Sequence, residues 1–178
     1  IEREAQLTLS RLLPRIEHHI SDPHQYQQFV QRMQRHFPRA FRHLLNVYSG
    51  TYDFFYHLEH IIATAAQMFA ARPDDLRALD AQREADPIWY KRETMIGAVA
   101  YVDLFAGDLH GVRDKIPYLQ ELGVTYLHLM PLFRAPAENS DGGYAVSDYR
   151  KVNPALGTMD DLATLAKHLR AAGISLVL

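Results

Sequence analysis

The apolar residues of this 178-residue chain change their period near Thr94, and no other feature limits the available folds as much. From Ala5 to about Lys91 they recur at helical spacing. Tyr26, Phe29, Val30, Met33 and Phe37 fall on one face, and Leu58, Ile61, Ile62, Ala65 and Met68 on another, both at i, i+3, i+4, i+7 spacing. Ser21-Asp22-Pro23 reads as a cap with proline in the first turn, Gly50 as a helix stop, and Arg72-Pro73 as the junction of two helices. Five or six short helices are expected there.

After Thr94 come three short apolar runs: "IGAVAYV" from Ile96, "VTYLHLM" from Val124 and "ISLVL" from Ile174. Each is rich in residues that suit a strand buried on both faces. Between the first two, Val112, Ile116, Leu119 and Leu122 mark a helix closed by Gly123, with Pro117 at a kink or an early turn. Between the second and third, Thr158 caps "MDDLATLAKHLRAAG", which has acids in its first turn and Gly173 at its end. The order β-α-β-loop-α-β implies a right-handed parallel sheet covered by helices. The expected class is α/β, with an all-helical domain over residues 1–92 followed by the opening of a parallel sheet domain over 93–178. With no helix after the third run, an apolar edge and most of one sheet face would stay open, so the expectation is an unfinished α/β domain.

Hydrophobic content of 48% and charged content of 22% are ordinary for a globular protein. The 19 basic and 21 acidic side chains nearly cancel, which gives no electrostatic case for nucleic acid or an anionic membrane as partner. Without cysteine there is neither a disulfide framework nor a thiolate metal site, and a reducing, cytoplasmic setting is the expectation. The charged start Glu2-Arg3-Glu4 is unlike a signal peptide, and no apolar run has the length of a membrane span.

The loop "SDGGYAVSDYRKVNPALGT", Ser140 to Thr158, separates the second strand run from the last helix. Loops of this length in compact domains are functional or disordered, and this one is not composed like a disordered linker. Its "GYAVSDY" and "NPALGT", with the later "LATLAKHLRAAGI", resemble the α-amylase superfamily of glycoside hydrolases and transglycosidases. More narrowly, "DLFAGDL", "YLHLMPLF" and "SDGGYAVSDYR", behind a helical segment with "RMQRHFPRAF" and "VYSG", resemble its amylosucrase branch.

That resemblance implies strands one to three of a (β/α)8 TIM barrel, incomplete in this chain. It implies sucrose and an α-1,4-glucan as partners: sucrose is cleaved, fructose released and the glucosyl group transferred with retention. Sucrose hydrolysis is the alternative within the branch, and a non-catalytic helical or carbohydrate-binding module the alternative outside it. The family's nucleophile, acid/base and third carboxylate follow strands four, five and seven, so no catalytic residue is expected before Leu178, and these residues alone should not turn over sucrose. No cofactor and no metal is implied.

By resemblance, Asp141 corresponds to the aspartate that grips distal hydroxyls of the glucosyl ring, and Tyr144 to the aromatic on which that ring stacks. Gly142 and Gly143 would permit positive φ between them. Without the resemblance, Asp141 reads as an Asx-turn residue and Tyr144 as a packed loop anchor. Asp148, Tyr149 and Arg150 read as ties between loop and barrel, and Asn153 and Pro154 as turn makers. His57 and His60, with Glu59 nearby, lack a further ligand and read as surface residues. His128 reads as a satisfied core histidine, Asp103 and Asp108 as structural, Arg113, Lys115 and Glu121 as a solvated helix face, and Trp89 as a plug at the domain junction.

Overall fold

The computed structural model describes residues 2–178, which divide into two compact units, residues 2–85 and Asp86–Leu178. The first is helical: α1 (Glu2–Ile16), α2 (Pro23–Tyr48), α3 (Phe54–Ala70) and α4 (Asp74–Ala85), with a short 3-10 turn at Glu17–His19. As the sequence predicts, Asp22 is the cap of α2, its Oδ1 accepting from the His24 and Gln25 amides at 2.8 and 3.0 Å.

Two expectations for this unit change. The helices are not all short: α2 has 26 residues and runs through Pro38. Phe37 and Phe41, both buried on either side of that proline, supply packing that outweighs the hydrogen bond proline cannot make. The buried stripe of α3 is Phe54, Leu58, Ile62 and Ala66, at strict i+4 spacing, while Ile61 and Met68 point outward. In α2 the buried residues are Phe29, Phe37 and Phe41.

The second unit carries a three-stranded parallel sheet, β1 (Gly97–Ala100), β2 (Tyr126–Leu129) and β5 (Ser175–Val177), in the order β1-β2-β5. Its connections are helical. Between β1 and β2 lie α5 (Val102–Ala106), α6 (Leu109–Asp114) and α7 (Ile116–Glu121), three short pieces in place of the expected single helix. Pro117 occupies the first turn of α7, the second of the two places the sequence left for it. Between β2 and β5 lies α8 (Met159–Ala171), opened by a capping box in which Thr158 Oγ1 accepts from the Asp161 amide at 3.2 Å and the Asp161 carboxylate accepts from the Thr158 amide at 2.9 Å.

The sheet is covered on one face, not on both. Leu127 and Leu129 point into a core built with Leu109, Val112, Leu119, Leu165 and Leus elsewhere on the helices. Alternation sends Val99, His128 and Val177, which are cross-strand partners, to the opposite face, and Val99 is 62% exposed there. A parallel sheet with its helices on one side and adjacent strands in chain order is the opening of a TIM barrel, whose uncovered face is the one a closed barrel turns inward. Three of its strands lie in these residues and the barrel is incomplete.

The long loop after β2 is also more ordered than expected. Two short antiparallel strands cross it, β3 (Phe133–Arg134) and β4 (Asp148–Val152), with Phe133 opposite Val152 and Arg134 opposite Asp148.

Candidate functional site

The C-terminal ends of β1 and β2 are joined by one backbone bond, the Met130 amide donating to the Ala100 carbonyl at 2.8 Å. Tyr101 follows the first strand and Met130 the second, so both stand at the mouth of the partial barrel, the end at which TIM-barrel loops carry function.

β3 and β4 return the loop to this end. Ser147 donates through its amide and its hydroxyl to the Arg134 carbonyl, at 2.8 and 3.0 Å, and the Phe133 and Tyr149 rings meet with centroids 5.8 Å apart. Asp148 pairs along its own strand, its carboxylate accepting from the Arg150 amide at 2.9 Å and lying 3.5 Å from Lys151 Nζ. Those contacts, the Arg150 amide first, hold its carboxyl below the usual range. Asp148 and Tyr149 therefore close the loop on itself. Asn153 is a turn maker, as expected: its Oδ1 accepts from the Ala155 amide at 3.1 Å, while its own amide donates to the Leu132 carbonyl.

The hairpin leaves a tight turn at its far end. Asp141, Gly142 and Gly143 have φ of 51°, 65° and 94°, three successive residues in the left-handed region. Glycine tolerates that, and aspartate tolerates it better than most side chains. The Tyr144 amide donates to the Asp141 carbonyl at 3.2 Å, bringing the two predicted ligand residues onto one turn. Among the described residues the Asp141 carboxylate accepts no hydrogen bond, so it is not the acceptor of an Asx turn.

Tyr144 is half-exposed, and its hydroxyl end is the enclosed part. The oxygen donates to Met130 Sδ at 3.8 Å. Desolvation first, then Tyr101, and last the charge of Asp141 push the Tyr144 phenol above its ordinary range. Sequence reading missed Tyr101; its place directly after a buried strand run was the available signal. Beside the turn opens a depression of about 920 Å³ whose walls include Tyr101, Asp103, Phe133, Arg134, Gly142 and Gly143. The Asp141 and Tyr144 side chains lie outside it.

The other candidates separate from this site. Asp108 caps α6, accepting from the Gly111 amide at 2.7 Å, and is structural as expected. His60 packs on Tyr56 with centroids 4.3 Å apart and its Nδ1 is 3.2 Å from the Tyr56 carbonyl. His128 sits on the open sheet face, half-buried, and among the described residues its ring makes no hydrogen bond, which corrects the expectation of a satisfied core histidine.

What this geometry can do is bind. A carboxylate without an internal partner offers strong acceptors to hydroxyl groups, and a phenol ring held at its far end offers an apolar plane. A polyhydroxylated ring has both kinds of surface.

A family model described as "Alpha amylase, catalytic domain" matches residues 23–178. Among curated proteins, the trehalose synthase of Thermus thermophilus is 41% identical over 91 residues, which is 48% of this chain and 9% of that protein. The oligo-1,6-glucosidase of Parageobacillus thermoglucosidasius is 42% identical over 72 residues, 40% of this chain and 12% of that protein. Among solved structures, the trehalulose synthase MutB from Pseudomonas mesoacidophila MX-45 is 32% identical across 49% of this chain and 16% of its own, with a TM-score of 0.43. The chain thus spans only a small part of the length of the curated relatives it matches.

Proposed function

The chain belongs to the alpha-amylase family of glycoside hydrolases and transglycosidases, and on that premise we propose that it forms part of an amylosucrase-type glucosyltransferase. Such an enzyme cleaves sucrose, releases fructose and passes the glucosyl group to an α-1,4-glucan with retention. In this reading residues 1–92 form a helical N-terminal domain and residues 93–178 open the catalytic barrel. Asp141 holds distal hydroxyls of the glucosyl ring and Tyr144 stacks on its apolar face. The carboxylates that break the bond belong to later strands of the barrel.

The observation that supports this reading is the turn from Asp141 to Tyr144, which sets an unpartnered carboxylate and a half-exposed phenol ring side by side at the mouth of β1 and β2. The motifs "DLFAGDL", "YLHLMPLF" and "SDGGYAVSDYR" support the amylosucrase branch over others of the family.

The test is incubation of a protein carrying these residues in a complete barrel with sucrose. Fructose together with an α-1,4-glucan is the expected product pair. Fructose with an equal amount of free glucose and no glucan would make the enzyme a sucrose hydrolase. No consumption of sucrose, or its conversion to another disaccharide, would reject both readings.

A further inference from the structure

A cleft of about 490 Å³ opens between α2 and α4 in the helical unit, within the volume of about 300–1,000 Å³ that small-molecule sites occupy. All the residues around it lie between Asp22 and Glu84, so the helical unit alone builds it. Its α2 wall is one stripe of the helix: His24, Gln28, Gln31 and Arg35 follow one another at i, i+4, i+7 and i+11. The α4 wall is Arg77, Ala81 and Glu84, again on one face, and Ala81 contributes only a methyl group.

Part of the lining is fixed from behind. Arg77 donates to the Arg72, Phe69 and Ala70 carbonyls at 2.9, 2.9 and 3.0 Å and to Gln25 Oε1 at 3.1 Å, so it ties the C-terminal end of α3 to α2. Arg32 Nε lies 2.9 Å from Glu84 Oε1 and its Nη1 3.8 Å from Asp80 Oδ2, while Asp80 also accepts from Arg72 at 2.7 Å. The Arg32 and Arg77 guanidinium carbons each lie 5.3 Å from the centre of the Phe69 ring. By contrast, Gln28, Gln31 and Arg35 make no hydrogen bond or ion pair among the described residues.

These groups limit what the cleft can hold. It carries three guanidinium groups, of Arg32, Arg35 and Arg77, and three carboxylates, of Asp22, Asp80 and Glu84, so its net charge is zero and it does not favour phosphate or another strong anion. The two guanidinium groups against Phe69 leave little bare hydrocarbon for an apolar side chain. What remains is a row of amide and guanidinium groups, Gln28 to Arg35, along roughly 10 Å of helix, and it suits a chain of hydroxyl groups.

We propose that this cleft is a second carbohydrate site, separate from the turn of Asp141 and Tyr144, which binds a neutral α-glucan through hydroxyl bonds to Gln28, Gln31 and Arg35. The choice of α-glucan over another neutral oligosaccharide rests on the function proposed above. A polymer gripped at a second place is released less readily.

The experiment compares the complete enzyme with a variant carrying Gln31→Ala and Arg35→Ala. Both side chains are exposed, so the fold is not at stake; equal unfolding midpoints check this, and Gln28→Ala serves in its place if they differ. Native electrophoresis through gels containing amylopectin should slow the wild type, and the dissociation constant read from that retardation should rise about tenfold in the variant. Free maltoheptaose should release the wild type from the gel, and inorganic phosphate should not. Initial fructose release from sucrose alone should stay within about twofold of wild type. Equal retardation of the two proteins overturns the inference. So does release by phosphate, which would make the cleft an anion site, or a matching fall in fructose release, which would merge it with the active site. Retardation that the variant loses, in a protein that leaves sucrose untouched, upholds the cleft and defeats the functional reading instead.

Discussion

The hydroxyl of Tyr144 lies 3.8 Å from the sulfur of Met130, the residue that ends the second barrel strand's run, so a turn remote in sequence from the sheet is held against its C-terminal edge. Asp141, bound to the same turn through its carbonyl, is carried there with it.

Removing the ring should therefore cost recognition and leave folding intact. Under the function proposed above, Tyr144→Ala in the complete enzyme is expected to lower kcat/KM for sucrose by about tenfold or more, with an unchanged unfolding midpoint. Asp141→Asn, which keeps the shape and removes the charge, is expected to lose about ten- to a hundredfold. Steady-state kinetics of fructose release measure both, and wild-type values in either variant would remove that residue from the site.

The start of α8 should be sensitive to its cap. Thr158→Ala removes the hydroxyl that accepts from the Asp161 amide and is expected to destabilise the second unit by about 1 kcal/mol, read as a lower urea midpoint at unchanged m.

The same cap predicts a pH dependence. The Thr158 hydroxyl and amide, in that order, hold the Asp161 carboxyl below its ordinary range. A carboxyl lowered by folding stabilises the native state above its unfolded value, about 3.9, and that contribution fades as pH falls through the folded value. The stability difference between wild type and Asp161→Asn should thus be full at neutral pH and shrink below about pH 4. A difference that stays constant from about pH 7 down to about pH 3, through the value at which an aspartate ordinarily titrates, would contradict this origin.

Gly111 and Gly50 should respond oppositely to alanine. A Cβ at Gly111 would stand 2.0 Å from the Ala106 carbonyl oxygen, whereas one at Gly50 meets nothing within 4 Å. Gly111→Ala is expected to cost about 3 kcal/mol or more by overpacking, and Gly50→Ala to stay within about 0.5 kcal/mol of wild type. Chemical denaturation compares them.

In the core, Leu127 is fully buried between β1, β5 and the helices. Leu127→Ala should destabilise the second unit by about 2–5 kcal/mol, the usual range for a leucine truncated in a packed core.

Much of this was legible in the chain itself. The three strand runs, the Asp22 and Thr158 caps and the positive φ of Gly142 and Gly143 follow from local chemistry that neighbouring residues cannot easily override. What escaped depends on distant partners. Phe133 and Arg134 are too few to show a strand period, and become one only because Val152 and Asp148 lie opposite. The length of α2 through Pro38 depends on the burial of Phe37 and Phe41 against the other helices. Val99 and His128 read as interior residues because their strands are apolar on both sides, although helices cover only one. Tyr101 carries no motif, and it joins the mouth of the sheet only through its place at the end of β1, where it lines the depression.

The strand order β1-β2-β5 leaves the outer edge of β1 without a neighbour in these residues. In a closed eight-stranded barrel that edge is met by the final strand, so the first barrel strand to be synthesised waits longest for its mate. Until the ring shuts, Gly97–Ala100 presents unpaired backbone donors and acceptors along that seam, the kind of edge to which a strand of another chain can add.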